Sequence, residues 1–222
     1  KYIRTPCYIN RSKGVADMIE NRVTLPDNYR AMRHIDLQRD KKLFFLINGL
    51  SFIILILAVG IGNQLIPFRT FYSMEKGFVL HFIRLVVTMG GIVLYFILHE
   101  LVHGILIKHY SGLPPKYGFK LSFAYAGSSA YFNKQSYLVI TLAPLIIWGI
   151  FLTVTLIFVP VYWFWTVYIL QICNASGAAG DLYMTWLITS LPEDILVLDS
   201  GISMMIYAPE QKPSKGDINN EH

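Results

Sequence analysis

The sequence predicts a mainly α-helical membrane protein with four transmembrane helices and one or two short β-hairpins on the cytoplasmic side. Three observations predict it. The 222 residues are 54% hydrophobic and only 15% charged, well to the apolar side of ordinary soluble domains. Four apolar runs each reach the roughly 20 residues that a helix needs to cross a hydrocarbon core of about 30 Å. Basic residues collect at one end of those runs, as they do on the cytoplasmic side of membrane proteins.

Residues 1–42 read as a basic cytoplasmic segment, with ten Lys or Arg against five acids, closing on Arg39, Lys41 and Lys42. The opening KYIRTP has no short apolar core behind a basic start, so no cleavable signal peptide is expected and insertion relies on internal spans. The spans run from Leu43 to Ile66, from about Leu85 to Ile107, from Tyr137 to Val159 and from Val161 to Ile188; Pro160 and its neighbours separate the last two. The loop from Pro67 to Gly77 offers only Arg69 and Lys76, whereas the segment after the second span carries Lys108, Lys116, Lys120 and Lys134. An even number of crossings returns that segment to the side of the leader, so both termini are expected in the cytoplasm. The net charge of +5 then reads as a topology signal and a contact with anionic lipid. No aromatic-interleaved basic motif points to nucleic acid. Cys7 and Cys173 are too few and too far apart in character for a disulfide framework.

Two stretches outside the spans carry strand patterns. "KYGFKLSFAYAGSSAYF", residues 116–132, alternates Phe119, Leu121, Phe123 and Tyr125 and breaks at Ala126-Gly127-Ser128, which predicts a hairpin. Residues 191–222 are read as a second cytoplasmic hairpin and tail, with Asp199-Ser200-Gly201 as the turn and a polar end from Glu210.

Within the second span stands "FILHELVHGIL", residues 96–106. His99 and His103 lie one helical turn apart on nearly the same face, roughly 6 Å along the axis, close enough to share a metal. In the H-E-x-x-H pattern the imidazoles ligate Zn²⁺ and the adjacent glutamate, here Glu100, takes a proton from a metal-activated water. With six His and six Glu in the chain, chance yields that pattern with a probability of about 0.4%. A buried polar network would also pair these groups, but a glutamate between two histidines at membrane depth costs several kcal/mol, which packing alone does not explain. His81 is read as interfacial or packed, and His109 as a helix-end residue.

A zinc site with two histidines takes a third protein ligand. Besides Glu100, Asp181 in "NASGAAGDLYM" is the only acid inside a span. Counted back from the cytoplasmic ends of spans two and four, it lies about 10 Å deep, against roughly 6 to 12 Å for the histidines at helical rise. Gly177, Ala178, Ala179 and Gly180 give a small surface for close helix approach, whether for metal bridging or for ordinary packing. Asn174, two turns before Asp181, has two open roles: a donor to a developing oxyanion, or an interhelical hydrogen bond. Pro144 opens the backbone ladder of the third span, which either admits water or substrate or simply kinks the helix.

"HELVHG", the "YF…SYL…LAPL" entry to the next span and "NASGAAGD" together resemble an uncharacterised family of membrane zincin peptidases. More remotely they resemble the site-2 protease group of intramembrane metalloproteases, over roughly Leu25 to Pro209. The resemblance implies His99, His103 and Asp181 as zinc ligands, Glu100 as catalytic base, and Asn174 as a catalytic contact to substrate or oxyanion. Residues 43–190 would then be a four-span metalloprotease domain. The site-2 group has a proline-bearing segment from Asn to Asp-Gly that is one residue shorter, whereas here no proline intervenes and Leu182 follows the aspartate. The resemblance also gives the hairpin a use, since an exposed strand beside zinc can capture an unwound substrate by strand addition.

The reading that follows is a zinc-dependent endopeptidase acting on membrane or juxtamembrane peptide substrates near the cytoplasmic face. The alternative is a non-catalytic metal-binding scaffold or regulator, which would need the ligands but gain nothing from Glu100. A transporter would want polar groups along a path, and spans one and three offer few.

Overall fold

Among the described residues, three helices of the computed structural model are long and apolar enough to cross a membrane. The structure describes residues 20–36, 39–120 and 123–210. Strand β1 (Tyr29–Asp36) leads into α1 (Lys41–Leu65), whose first turn is capped by Asp40 accepting from the Leu43 amide at 3.0 Å. A single helical turn, α2 (Arg69–Tyr72), connects it to α3 (Phe78–Ser111), which Gly112 ends in the left-handed conformation at φ 69°. Strands β2 (Lys116–Lys120), β3 (Phe123–Gly127) and β4 (Tyr131–Asn133) precede α4 (Lys134–Phe158), which Asn133 caps by accepting from the Ser136 amide at 2.7 Å. The chain ends its described course in α5 (Phe164–Gly177), α6 (Ala179–Thr189), β5 (Leu196–Asp199) and β6 (Ser203–Pro209).

Helices α1, α3 and α4 occupy the first three expected spans. At 34 residues α3 runs about 51 Å, so it extends well past a hydrocarbon core. Exposed Phe45, Phe52, Ile56 on α1 and Ile150, Phe151, Ile157 on α4 form surfaces suited to lipid.

The expected fourth span is not one continuous helix: Val161 to Ile188 folds as a 3-10 turn followed by α5 and α6, which meet at Ala178. Small residues let the break be buried, with Ala178 and Ala179 at 0% and 1% exposure. Non-helical backbone at membrane depth is tolerated where it borders a cavity, and Gly177, Ala179 and Gly180 do so here. The break also places Asp181 in the first turn of α6, where unpaired N–H groups and the helix dipole favour a carboxylate.

The segment 1–42 is more than a basic leader. Its β1 pairs antiparallel with β6, giving a four-stranded sheet in the order β1-β6-β5-β4. The expected second hairpin is β5–β6: Asp199 Oδ1 accepts from the Gly201 amide at 2.7 Å, and Gly201 takes φ 81°, a conformation open to glycine. The first hairpin is β2–β3, but its turn differs from the expected one. The strands pair from Lys116↔Gly127 to Lys120↔Phe123, and residues 121–122, Leu121 among them, lie outside the described residues. Ala126 and Gly127 stay in the strand because Gly127 passes directly under the Ser200 carbonyl, where a side chain has no room.

The sheet packs on the helix ends through Ile35, Phe132, Ile140, Ile188, Val197 and Ile206. At the opposite end a second cluster joins α1 to α5: Tyr168 donates to the Ala58 carbonyl at 2.8 Å and Trp165 to the Ile66 carbonyl at 3.1 Å. There His81 is packed, as expected, against a fully buried Arg84 that donates to the Thr70 and Tyr162 carbonyls at 3.1 and 3.2 Å.

Candidate metal centre

Where α3, α4, α6 and the two sheets meet lies a cavity of about 440 Å³. His99 and His103 project into it from α3, and both are buried, at 7% and 9% exposure. From α6, Asp181 faces both: His99 Nε2 stands 3.4 Å from Oδ2 and His103 Nε2 3.7 Å from Oδ1. Donors that share a tetrahedral zinc at about 2.0 to 2.1 Å are separated by roughly 3.3 Å. The three heads therefore converge at a spacing that one ion would bridge after small adjustment.

Glu100 is the other carboxylate in reach. Its oxygens, with the His99 and His103 nitrogens, form a set whose atoms lie within 4.8 Å of one another. Ala126 on β3 borders the same cavity as Glu100. Asp181 presents one oxygen to each imidazole. Both acids thus stand within reach of the two imidazoles, Asp181 across from α6 and Glu100 from the same turn of α3.

Neither imidazole is held by Nε2 alone. His103 Nδ1 lies 2.9 Å from the Ile140 carbonyl on α4, and His99 Nδ1 lies 2.9 Å from the Tyr95 hydroxyl, one turn earlier on α3. Tyr95 donates to Asn174 Oδ1 at 3.0 Å, and Asn174 Nδ2 donates to the Leu145 carbonyl at 3.1 Å. Asn174 is 1% exposed. Both ends of its amide are engaged inside the bundle, so the structure places it behind His99 and not on the cavity wall.

Sequence reasoning missed three residues around this cavity. Tyr95 stands four residues before His99, a helical spacing that marks it as a same-face neighbour. Tyr137, on α4, donates to Asp199 Oδ2 at 2.7 Å, and both line the cavity. Burial pushes the Asp199 carboxyl up, against the lowering effect of its bonds from Tyr137 and Gly201. No local signal marks Asp199 as more than a turn residue, since only the fold brings β5 to α4.

Beside the open edge of β3, the same cavity is bordered by Ala124, Tyr125 and Ala126. Two residues apart in the β2–β3 ladder, Ala124 and Ala126 share one set of outward-facing backbone groups, and both border the cavity.

Residues 92–196, which include all of these helical site residues, match the model of a family described as "Putative zincin peptidase". An uncharacterized 24.7 kDa protein of Pyrococcus woesei is 31% identical over 135 residues, covering 55% of this chain and 56% of that protein. The chain thus spans about half the length of the curated relative it matches. No solved structure matches it. His99, Glu100 and His103 form a group that could hold a metal ion.

Proposed function

We propose that this protein is a zinc-dependent endopeptidase that hydrolyses peptide bonds of membrane-embedded or juxtamembrane segments, in the manner of the site-2 protease group. The observation that carries the reading is the convergence of His99, His103 and Asp181 on one point, with Glu100 beside them in an open cavity. His99, His103 and Asp181 hold the metal. Once bound there, zinc supplies a Lewis acid and a water acidic enough to ionise near neutral pH.

Glu100 would take a proton from the water that attacks the scissile carbonyl carbon and hand it to the amide nitrogen as the C–N bond breaks, leaving a carboxylic acid and an amine. Asn174 acts behind His99, where its amide bonds put it, in place of the oxyanion role.

A helical substrate hides its peptide bonds, so cleavage needs an extended segment. The outward N–H and C=O groups of Ala124 on β3 offer such a segment hydrogen bonds, and strand addition there would lead its backbone past Glu100. The basic residues beside the sheet put that end of the bundle, and both termini, on the cytoplasmic face against anionic lipid.

Metal analysis and peptidase assay of the wild type beside His99→Ala, Asp181→Ala and Glu100→Gln test the reading. The two ligand variants lose zinc and activity together, and Glu100→Gln keeps zinc but not activity. Zinc retained in full by Asp181→Ala would remove the third ligand, and activity retained by Glu100→Gln would remove the base.

A further inference from the structure

We propose that α4, which contributes no metal ligand, sets the orientation of both histidine ligands through two backbone carbonyls, and that Pro144 is present in the span to release one of them. The inference rests on the zinc reading of the site and adds a layer of residues behind it.

The carbonyl of residue 140 in a regular helix accepts from the amide of residue 144. Here that residue is Pro144, buried within α4, and it has no N–H to give. The Ile140 carbonyl is left without its helical donor, and His103 Nδ1 is the group that reaches it, at 2.9 Å. A carbonyl only accepts, so the Nδ1 atom carries the proton. Nε2, which faces Asp181 at 3.7 Å, is then the nitrogen left for a metal.

One turn farther along α4, the Leu145 carbonyl does the same for His99 through two intermediaries. It accepts from Asn174 Nδ2 at 3.1 Å, which fixes Oδ1 as the acceptor for the Tyr95 hydroxyl at 3.0 Å. Tyr95 has a single proton and gives it to Asn174. Its oxygen therefore accepts from His99 Nδ1–H at 2.9 Å, and the metal again meets Nε2. Gly149 permits the approach: a Cβ there would stand 3.3 Å from Asn174 Nδ2, tighter than an ordinary contact. Both relays are buried, with Tyr95 at 4% and Asn174 at 1% exposure, so water does not compete for these bonds.

Tyr95, Asn174 and Pro144 are thus positioning residues, which act on the metal through the imidazoles. Partners of this kind change metal affinity by roughly 10- to 100-fold when removed. In Pro144→Ala the restored amide competes for the Ile140 carbonyl, and in Tyr95→Phe the His99 Nδ1–H loses its acceptor.

The test uses the full chain in detergent, with zinc affinity read by competition against a chromophoric chelator and thermal unfolding of the zinc-free protein read in parallel. Wild type, Pro144→Ala and Tyr95→Phe are compared, with His99→Ala as control. Pro144→Ala should bind zinc about tenfold more weakly while unfolding at an equal or higher temperature, since its helix gains a hydrogen bond. A merely structural proline would move the two readouts together. Tyr95→Phe should lose affinity by a similar factor. Unchanged affinity in both variants, with His99→Ala still abolishing binding, would overturn the relay and leave the zinc site standing. Wild-type binding no tighter than that of His99→Ala would instead remove the zinc reading itself.

Discussion

The hydroxyl of Tyr117 on β2 occupies the place where a side chain on Gly104 of α3 would begin, 1.9 Å from an ideal Cβ. Gly104 is the residue directly after His103, so the helix that carries His99, Glu100 and His103 and the β2–β3 hairpin are in contact at a position where a Cβ would displace Tyr117. Gly104→Ala would swing Tyr117 outward. Since Tyr117 is 52% exposed, it can move at small cost. The expected result is a stability change below about 1 kcal/mol and undiminished zinc binding, with peptidase activity reduced because β3 shifts relative to Glu100. Adding Tyr117→Ala should restore part of the activity; a double variant no better than the single one would argue against this contact.

The open edge of β3 gives a second prediction. Ala124 pairs with Phe119 in the ladder and shares with Ala126, two residues on, one set of outward-facing backbone groups. Proline at 124 removes an edge donor without removing a ladder bond. Ala124→Pro should cut cleavage of a transmembrane peptide severalfold and leave zinc stoichiometry and thermal unfolding nearly unchanged. Cleavage at the wild-type rate would show that substrate does not add to this strand.

At the far end of the bundle, Gly62 and Gly60 on α1 form a matched pair. A Cβ on Gly62 would stand 2.2 Å from a ring carbon of Tyr168 and 2.9 Å from Trp165, whereas Gly60 faces open space. Trp165 is 1% exposed and its indole is hydrogen-bonded, so neither ring can retreat freely. Gly62→Ala should therefore destabilise by about 1 to 3 kcal/mol through overpacking, and Gly60→Ala should be neutral or stabilising by up to about 1 kcal/mol. Thermal unfolding of the two variants side by side checks the contrast.

How far the site could be read from the sequence follows from the range of each signal. His99, Glu100 and His103 are local, since one helical turn brings them together whatever the fold. Asp181 stood out because a carboxylate in an apolar run is rare, and its depth could be counted along a helix. Its partners could not. Tyr95 and Asn174 touch only because α3 and α5 pack, and the Ile140 carbonyl is a backbone group that leaves no residue-type signature beyond Pro144. The break at Ala178 was hidden for a related reason: hydropathy is continuous from Val161 to Ile188, and only the cavity beside Gly177 and Gly180 makes an interrupted helix tolerable. Strand β1 escaped because an edge strand buries little; Tyr29 and Ile35 alone are buried in YRAMRHID, so no alternation appears.

The contact between Tyr137 and Asp199 ties α4 to the β5–β6 turn and carries a pH dependence. Tyr137 donates to Asp199 at 2.7 Å, and this bond lowers a carboxyl that burial raises above its ordinary 3.8. Removing the donor by Tyr137→Phe lets the folded-state pKa of Asp199 rise further. Below that higher value the folded variant already holds the proton, so the bond to an ionised Asp199 no longer separates it from wild type. Above it, wild type keeps a charge-assisted bond worth about 1.5 to 3 kcal/mol that the variant lacks. The stability advantage of wild type should therefore be full at neutral pH and shrink as the pH falls through the raised Asp199 range toward 3.8. Thermal unfolding of both proteins across pH 4 to 8, roughly the span in which carboxylate-linked stability is read, checks the sign; a gap that widened on acidification would mean that the pair is held by something other than an ionised Asp199.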